Sequence, residues 1–214
     1  KDQMEFSASG TLATMGNGLP YSLGAGIAHP GRQIVCIAGD GGFTMLMGEL
    51  ATLVKYALPV KIIVLKNNVL GMIKWEQLAF EGNPQYGVDL QPIDFAGFAR
   101  ACGATGFTVE DPRQVQDVLR QAFSTPGPVV VEAVIDPLEA PLPGKITTDQ
   151  AWQLAKALAR GQDERVFDLV VEHEEGGARR PWTLEEVRDP ARAEGALERV
   201  VRKPLVQQVG HGHR

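Results

Sequence analysis

Apolar positions change their period along this chain in a repeating order. Residues 34–38, "IVCIA", form a short continuous apolar run rich in β-branched side chains, the pattern of a strand buried on both faces of a parallel sheet. Directly after it, Met45, Leu46, Met47, Leu50, Leu53, Val54 and Ala57 recur at helical spacing, predicting one helix to about Ala57. A second apolar run, Val60 to Leu65, ends in two asparagines. Further on, Asp94 stands where a helix N-cap belongs, ahead of Phe95, Phe98, Ala99 and Cys102, with Gly103 as the stop. "GFTVED" reads as a third strand, and "PVVVEAVID" as a fourth. Between them lies a capped amphipathic helix with Val115, Val118, Leu119 and Ala122 facing inward. Upstream, Pro20 to His29 predicts a short helix whose Gly24, Ala25, Gly26 and Ala28 surface packs tightly against a sheet. Strand alternating with helix across short links predicts an α/β fold: a doubly wound parallel sheet with right-handed crossovers and helices on both faces.

The alternation ends near Pro137. The expected organisation is therefore a domain at 1–137, a linker and short helix at 138–161, and a charged C-terminal tail at 162–214, rich in stretches such as "EHEEGGARRPW". Within the domain, residues 67–91 start with helix-like spacing at Leu70, Ile73 and Leu78, then dissolve into Gly, Asn and Pro, as a functional loop does.

Composition narrows the classes. A hydrophobic share of 44% with 22% charged residues is ordinary for a globular protein, and a net charge of -5 lacks the basic face that nucleic acid requires. The longest apolar runs are strand-sized, well below the ~20 residues of a spanning helix. Cys36 and Cys102 lie far apart among apolar or small residues and read as buried free thiols, which fits a reducing cytoplasm, with peripheral membrane association left open. The chain opens on Lys1 rather than Met, so it is expected to be a piece of something longer.

The candidate chemistry sits at two strand ends. Asp40 falls at the junction of the first strand and its helix, set among Gly39, Gly41 and Gly42; read alone, it is a helix N-cap in a glycine-rich turn. Asn67, 27 residues later, ends the second strand. In one parallel sheet both ends open on the same edge, the usual ligand crevice of such folds. A carboxylate and a carboxamide are hard oxygen ligands, and with a main-chain carbonyl near Val69 they form a partial set for Mg²⁺, which favours phosphate oxygens and water for the rest of its octahedron. The glycines leave the helix start open to those phosphates.

"GDG" followed at that distance by "NN" resembles the signature of thiamine-diphosphate-dependent enzymes. The stretch from "GTLATMGNGLPYSLGAGIAHPG" through "IVCIAGDGGFTM" to "KNNVLGMIKWEQ" is similar to the cofactor-diphosphate domain of the pyruvate oxidase and acetolactate synthase group, with similarity over about residues 9–137. The resemblance implies the thiamine-diphosphate-binding fold. It implies Asp40, Asn67 and the Val69 carbonyl as Mg²⁺ ligands, and Gly39, Gly41 and Gly42 as the diphosphate cradle, with Leu70 and Gly71 beside the cofactor. It implies Met15 as the apolar wedge that bends the cofactor and the Ala13 carbonyl as acceptor for its aminopyrimidine amino group. Met15 otherwise reads as a loop methionine filling a core gap. The implied reaction is decarboxylation of a 2-keto acid, with pyruvate favoured, and transfer of its electrons to an acceptor.

Within the group, Glu76 occupies a position where acetolactate synthases carry tryptophan and pyruvate oxidases carry glutamate, and Met72 a substrate-pocket position. That favours a pyruvate-oxidase-like enzyme with Glu76 as a polar pocket group; its plain alternative is a solvated helix glutamate. The runners-up are an acetolactate-type carboligase and a non-catalytic assembly subunit. The group's pyrimidine-binding domain, with its activating glutamate from a neighbouring subunit, and its middle domain, which holds FAD in the oxidases, have no counterpart here. The chain also lacks the domain's opening strand and helix. It is expected to be inactive alone, in a homo-oligomer (a dimer of dimers) or as half of a split enzyme. His29, His173, His211 and His213 read as solvated, Glu49 as a surface or helix-pairing residue, and Trp75 and Trp152 as packing residues.

Overall fold

A computed structural model describes residues 4–138 and 148–162. In chain order the elements are α1 (Gly18–Ala28), β1 (Val35–Gly39), α2 (Asp40–Leu46), α3 (Leu50–Lys55), β2 (Lys61–Lys66), α4 (Gly71–Glu76), α5 (Phe95–Ala101), β3 (Thr105–Val109), α6 (Val115–Ser124), β4 (Val129–Val134) and α7 (Thr148–Ala159). They form two compact units: residues up to Leu70 together with Asp89–Pro137, and Gly71–Val88 together with the chain from Leu138.

The first unit is built on a four-stranded sheet in the order β1-β2-β4-β3, all pairs parallel. Parallel register sets Cys36, Ile62 and Val130 level on one face and Ile37, Ile63 and Val131 level on the other. On the first face Leu19, Phe43, Leu50, Leu53, Phe95 and Ala99 pack with Cys36, Ile62, Val64 and Val130. On the second, Ala122 of α6 packs with Val109, Val129 and Val131. Helices thus cover both faces of a parallel sheet, the expected doubly wound α/β arrangement.

Several local expectations are corrected. The first strand is not buried on both faces: Val35 and Ile37 are 41% and 66% exposed, because α6 lies over β3 and β4 and no described helix reaches this corner of the sheet. The long helix after Asp40 breaks into α2 and α3 around a 3₁₀ turn at Met47–Glu49, where Gly48, a poor helix former, sits. In α6 Val115 is exposed rather than inward, whereas Ala122 and Val118 do reach the core. In α1, Gly26 makes the tight approach, a Cβ there meeting Val60 Cγ2 at 3.7 Å, while Gly24 faces open space. Asp94 caps α5 as expected, its Oδ1 accepting from Gly97 N at 2.6 Å.

In the second unit, α4 runs into a π-helical turn at Gln77–Glu81 that ends at Gly82 in the left-handed region. Trp75 and Leu78 pack with Leu154 and Ala157 of α7. Arg160 Nη1 donates to the Gly82 carbonyl and to Asn83 Oδ1, and Gln85 N donates to Gln162 Oε1, so polar bonds tie residues 82–85 to the end of α7. The first unit ends at Pro137, and within 1–137 it is residues 71–88 that group with α7 instead, because apolar spacing marks a buried face without naming its partner. Among the described residues no helix is long and apolar enough to cross a membrane. The linker at 139–147 and the charged tail from 163, with His173, His211 and His213, lie outside the described residues.

Candidate functional site

The site grows from the carboxyl rim of the sheet in the first unit. Gly39, the last residue of β1, is level with Leu65 of β2, so parallel pairing delivers Asp40 and Asn67 to the same rim. At Gly39 the backbone is still extended, φ -72° and ψ 158°, and the next residue already opens α2. Gly39, not Asp40, is the N-cap.

The Asp40 side chain instead reaches across strands. It is 4% exposed; Oδ1 accepts from Gly41 N at 2.8 Å, and Oδ2 accepts from Asn67 N at 3.0 Å and Asn68 N at 2.6 Å. Asn67 Oδ1 accepts from Val69 N at 3.2 Å, closing an Asx turn. Asn68 has φ 58°, in the left-handed region that asparagine tolerates better than other side chains, which gives the second asparagine a backbone reason. Val69 is buried and pairs antiparallel with Asp89, and Leu90 N donates to the Asn68 carbonyl at 2.9 Å. The turn carrying Asn67 to Val69 is thereby held from both sides.

The three glycines differ. A Cβ on Gly41 would stand 2.5 Å from Leu70 Cδ2 and 3.3 Å from Leu90 Cδ1, so that space is already filled by apolar side chains. A Cβ on Gly39 would meet nothing within 4 Å, and one on Gly42 would meet only Gly16 N, at 3.8 Å. Open volume therefore lies over Gly39 and Gly42. Met15 borders Gly41, with Cε 3.8 Å from the Gly41 Cβ position, and is 45% exposed. Ala13, two residues earlier, has φ 43°, a strained value for a residue with a side chain, and such strain concentrates at functional loops.

Among the described residues, the structure brings together Asp40, Gly41, Asn67, Val69, Leu70 and Met15, with Gly39 and Gly42 beside them. Gly71, Met72 and Glu76 belong to α4 in the second unit; Met72 is 63% exposed and Glu76 is exposed. Sequence reasoning missed Leu90, and it marked Asn68 only as the second of two asparagines, with no role in the site. The "VDL" triplet at 88–90, an apolar-polar-apolar alternation inside a Gly- and Pro-rich stretch, is the signal for the first.

Elsewhere, burial pushes the Cys36 thiol up, opposed by a hydrogen bond with Ser22, and burial pushes the Lys61 ammonium down. Both lie toward the amino ends of their strands, away from this rim. Both cysteines are free thiols, as expected, but only Cys36 is buried, and Cys102 is half-buried.

Chemically, the rim offers a buried carboxylate held only by main-chain N–H groups, with no Lys or Arg paired to it among the described residues. A buried charge of that kind calls for an opposite charge. The oxygen donors Asp40 and Asn67 and the open space at two glycines fit a hard divalent cation and an anionic ligand.

Comparisons with known proteins give the family. The thiamine pyrophosphate enzyme, C-terminal TPP binding domain family matches residues 1–133. YdaP of Bacillus subtilis (strain 168), named as a thiamine pyrophosphate-containing protein, is 43% identical over 156 residues, 73% of this chain and 27% of that protein. An acetolactate synthase large subunit of Pyropia yezoensis is 40% identical over 131 residues, 60% of this chain and 22% of its own. A solved thiamine diphosphate-dependent 4-hydroxybenzoylformate decarboxylase of Rhodococcus jostii RHA1 superposes with a TM-score of 0.54 at 28% identity, covering 57% of this chain and 23% of that one. The chain spans about a quarter of the length of the curated relatives it matches. With the family match over most of its length and the parallel sheet that presents Asp40 and Asn67 at one rim, the chain belongs to the thiamine pyrophosphate enzymes, as their C-terminal TPP binding domain.

Proposed function

We propose that this chain is the part of a thiamine-diphosphate-dependent 2-keto acid decarboxylase that holds Mg²⁺ and the cofactor diphosphate, and that pyruvate is its substrate and an oxidase or dehydrogenase its reaction type. The observation that carries the reading is the Asp40 carboxylate shared between Gly41, Asn67 and Asn68 at one sheet rim. Asp40, the Asn67 carboxamide and the Val69 carbonyl would hold the cation. Gly39 and Gly42 would leave the diphosphate room, and Met15 and the Ala13 carbonyl would meet the rest of the cofactor. Bound thiamine diphosphate supplies the electron sink for the decarboxylation. The protein's part is to orient that group and exclude water around it.

Glu76 is the basis for preferring an oxidase-type reaction, since acetolactate synthases of this resemblance carry tryptophan there; Met72 would be an apolar substrate-pocket residue. FAD would enter through a domain outside this chain. The activating glutamate would come from the pyrimidine-binding domain of a neighbouring subunit, in a homo-oligomer or a split-subunit assembly, with a cytoplasmic location. The second reading, acetolactate-type carboligation, is favoured by the names of several relatives, including acetolactate synthases of Pyropia yezoensis and Bacillus subtilis. A non-catalytic assembly subunit is the third. Product analysis of the assembled protein with pyruvate separates them: acetate or acetyl phosphate with reduction of an acceptor supports the oxidase reading. Acetolactate overturns it in favour of the carboligase, and no cofactor-dependent turnover leaves the assembly role.

A further inference from the structure

One buried charge cluster stands behind the rim and plays no part in the ligand set above. Glu132 of β4 is 3% exposed. Its Oε1 accepts from Lys66 Nζ at 2.7 Å, and its Oε2 accepts from Ala96 N at 3.1 Å, at the amino end of α5. Register explains the meeting: Val64 is level with Glu132 and Lys66 with Val134, so the two charged side chains are diagonal neighbours on one face. Lys66 Nζ also lies 5.9 Å from the Phe95 ring centroid, and Phe95 packs edge-on against Phe43 of α2, centroids 5.5 Å apart. The start of α5 has little freedom to move, since a Cβ on Gly106 of β3 would collide with the Ala96 backbone. The cluster thus joins β2, β4, α5 and α2, and Lys66 is the residue immediately before Asn67.

We propose that Glu132 is a positioning residue for the cation site. Its carboxylate clamps the Lys66 ammonium to the amino end of α5, and so fixes where β2 hands over to the Asn67–Asn68 turn that closes on Asp40. The pair is needed in that place because Asn67 N and Asn68 N reach a single oxygen of Asp40, and both bonds require the strand end to stay in register. Glu132 also neutralises a cationic side chain that would otherwise stand unpaired one residue from a cation ligand. Outer partners of this kind orient ligands without touching the metal.

The proposal rests on the Mg²⁺ reading of Asp40 and Asn67, and its test separates the two. A buried ion pair can also act on stability alone, and removing both charges together restores much of what removing one costs. The assembled protein is therefore prepared as Glu132→Gln, as Lys66→Met with Glu132→Gln, and as Asp40→Asn. Three quantities are read on each: the thermal midpoint without cofactor, the Mg²⁺ concentration giving half-maximal thiamine diphosphate uptake, and hydrogen exchange at the Asn67 and Asn68 amides. The single Glu132→Gln variant should lose thermal midpoint, and the paired variant should regain most of it. The paired variant should still need about 10-fold more Mg²⁺ and should exchange the two amides faster. If it takes up cofactor at the unaltered Mg²⁺ requirement while Asp40→Asn does not, Glu132 is a structural residue only and this inference fails. If Asp40→Asn also leaves uptake unchanged, it is the cation reading itself that fails.

Discussion

Gly42→Ala separates what the fold requires from what the ligand requires. Gly42 lies inside α2 and is not among the positive-φ glycines, and an added Cβ would find only Gly16 N, at an ordinary 3.8 Å. Alanine is better than glycine in a helix by about 1 kcal/mol, so the cofactor-free protein should be unchanged or more stable by up to that amount. The same methyl group would project into the open space assigned to the diphosphate, and uptake of thiamine diphosphate at fixed Mg²⁺ should weaken by about 10-fold or more, equivalent to about 1.4 kcal/mol. Gly41→Ala is the opposite case. Its Cβ would lie 2.5 Å from Leu70 Cδ2, well inside the ~3.5 Å of a good carbon contact. The obstructing atom is the tip of a side chain, so the cost should lie at the low end of the about 1–3 kcal/mol typical of overpacking, and shortening that side chain with Leu70→Ala should return part of it. Chemical denaturation without cofactor and tryptophan-quench titration with thiamine diphosphate read the two effects on the same samples. A Gly42→Ala protein that is equally stable and binds cofactor with unaltered affinity would refute the cradle assignment.

Three further outcomes are expected. Lys61 Nζ donates to the carbonyls of Thr125 and Gly127 at the end of α6, so Lys61→Met should cost about 1–3 kcal/mol in a denaturation midpoint through the unpaired acceptors. Because burial lowers the folded Lys61 pKa below its ordinary 10.5, the unfolded chain binds the extra proton in the window between the two. Stability from this group therefore rises with pH across that window, and Lys61→Met should flatten the rise. Cys36 is buried with its thiol pushed up, so at pH 8 a thiol reagent should label the half-buried Cys102 first and reach Cys36 only on unfolding, as mass spectrometry of timed samples would show. Asn68, at φ 58°, should accept glycine with little loss, whereas Asn68→Val should destabilise by about 1–3 kcal/mol in the same denaturation assay.

The sheet and its chemistry were legible to different depths. The runs at 34–38 and 60–65 predict parallel strands, and parallel strands must end at a common rim, so the meeting of Asp40 with the Asn67 turn follows from pattern alone. The bare corner at Val35 and Ile37 does not, since a β-branched run reports fitness for a sheet and not which helix arrives to cover it. The break at Gly48 competes with a continuous apolar period on either side, and the period outweighs one glycine when only the sequence is read. Leu90 and Glu132 act through partners more than twenty residues away in the chain, Asn68 and Lys66, and no local spacing encodes such pairings. The same holds for Trp75 and Leu78, whose apolar faces were visible but whose partners on α7 were not.

In the proposed function, Asp40 anchors a cation that carries the cofactor diphosphate. Asp40→Asn keeps the side chain's size and removes its charge, so the direct measurement is Mg²⁺-dependent thiamine diphosphate uptake by the assembled protein, by calorimetric titration, with the cofactor-free thermal midpoint as control. Loss of uptake by 10-fold or more, at least what removing an outer partner of a metal ligand costs, with a midpoint showing the protein still folded, is the predicted result. Unchanged uptake at the same Mg²⁺ concentration in a folded Asp40→Asn protein would contradict it.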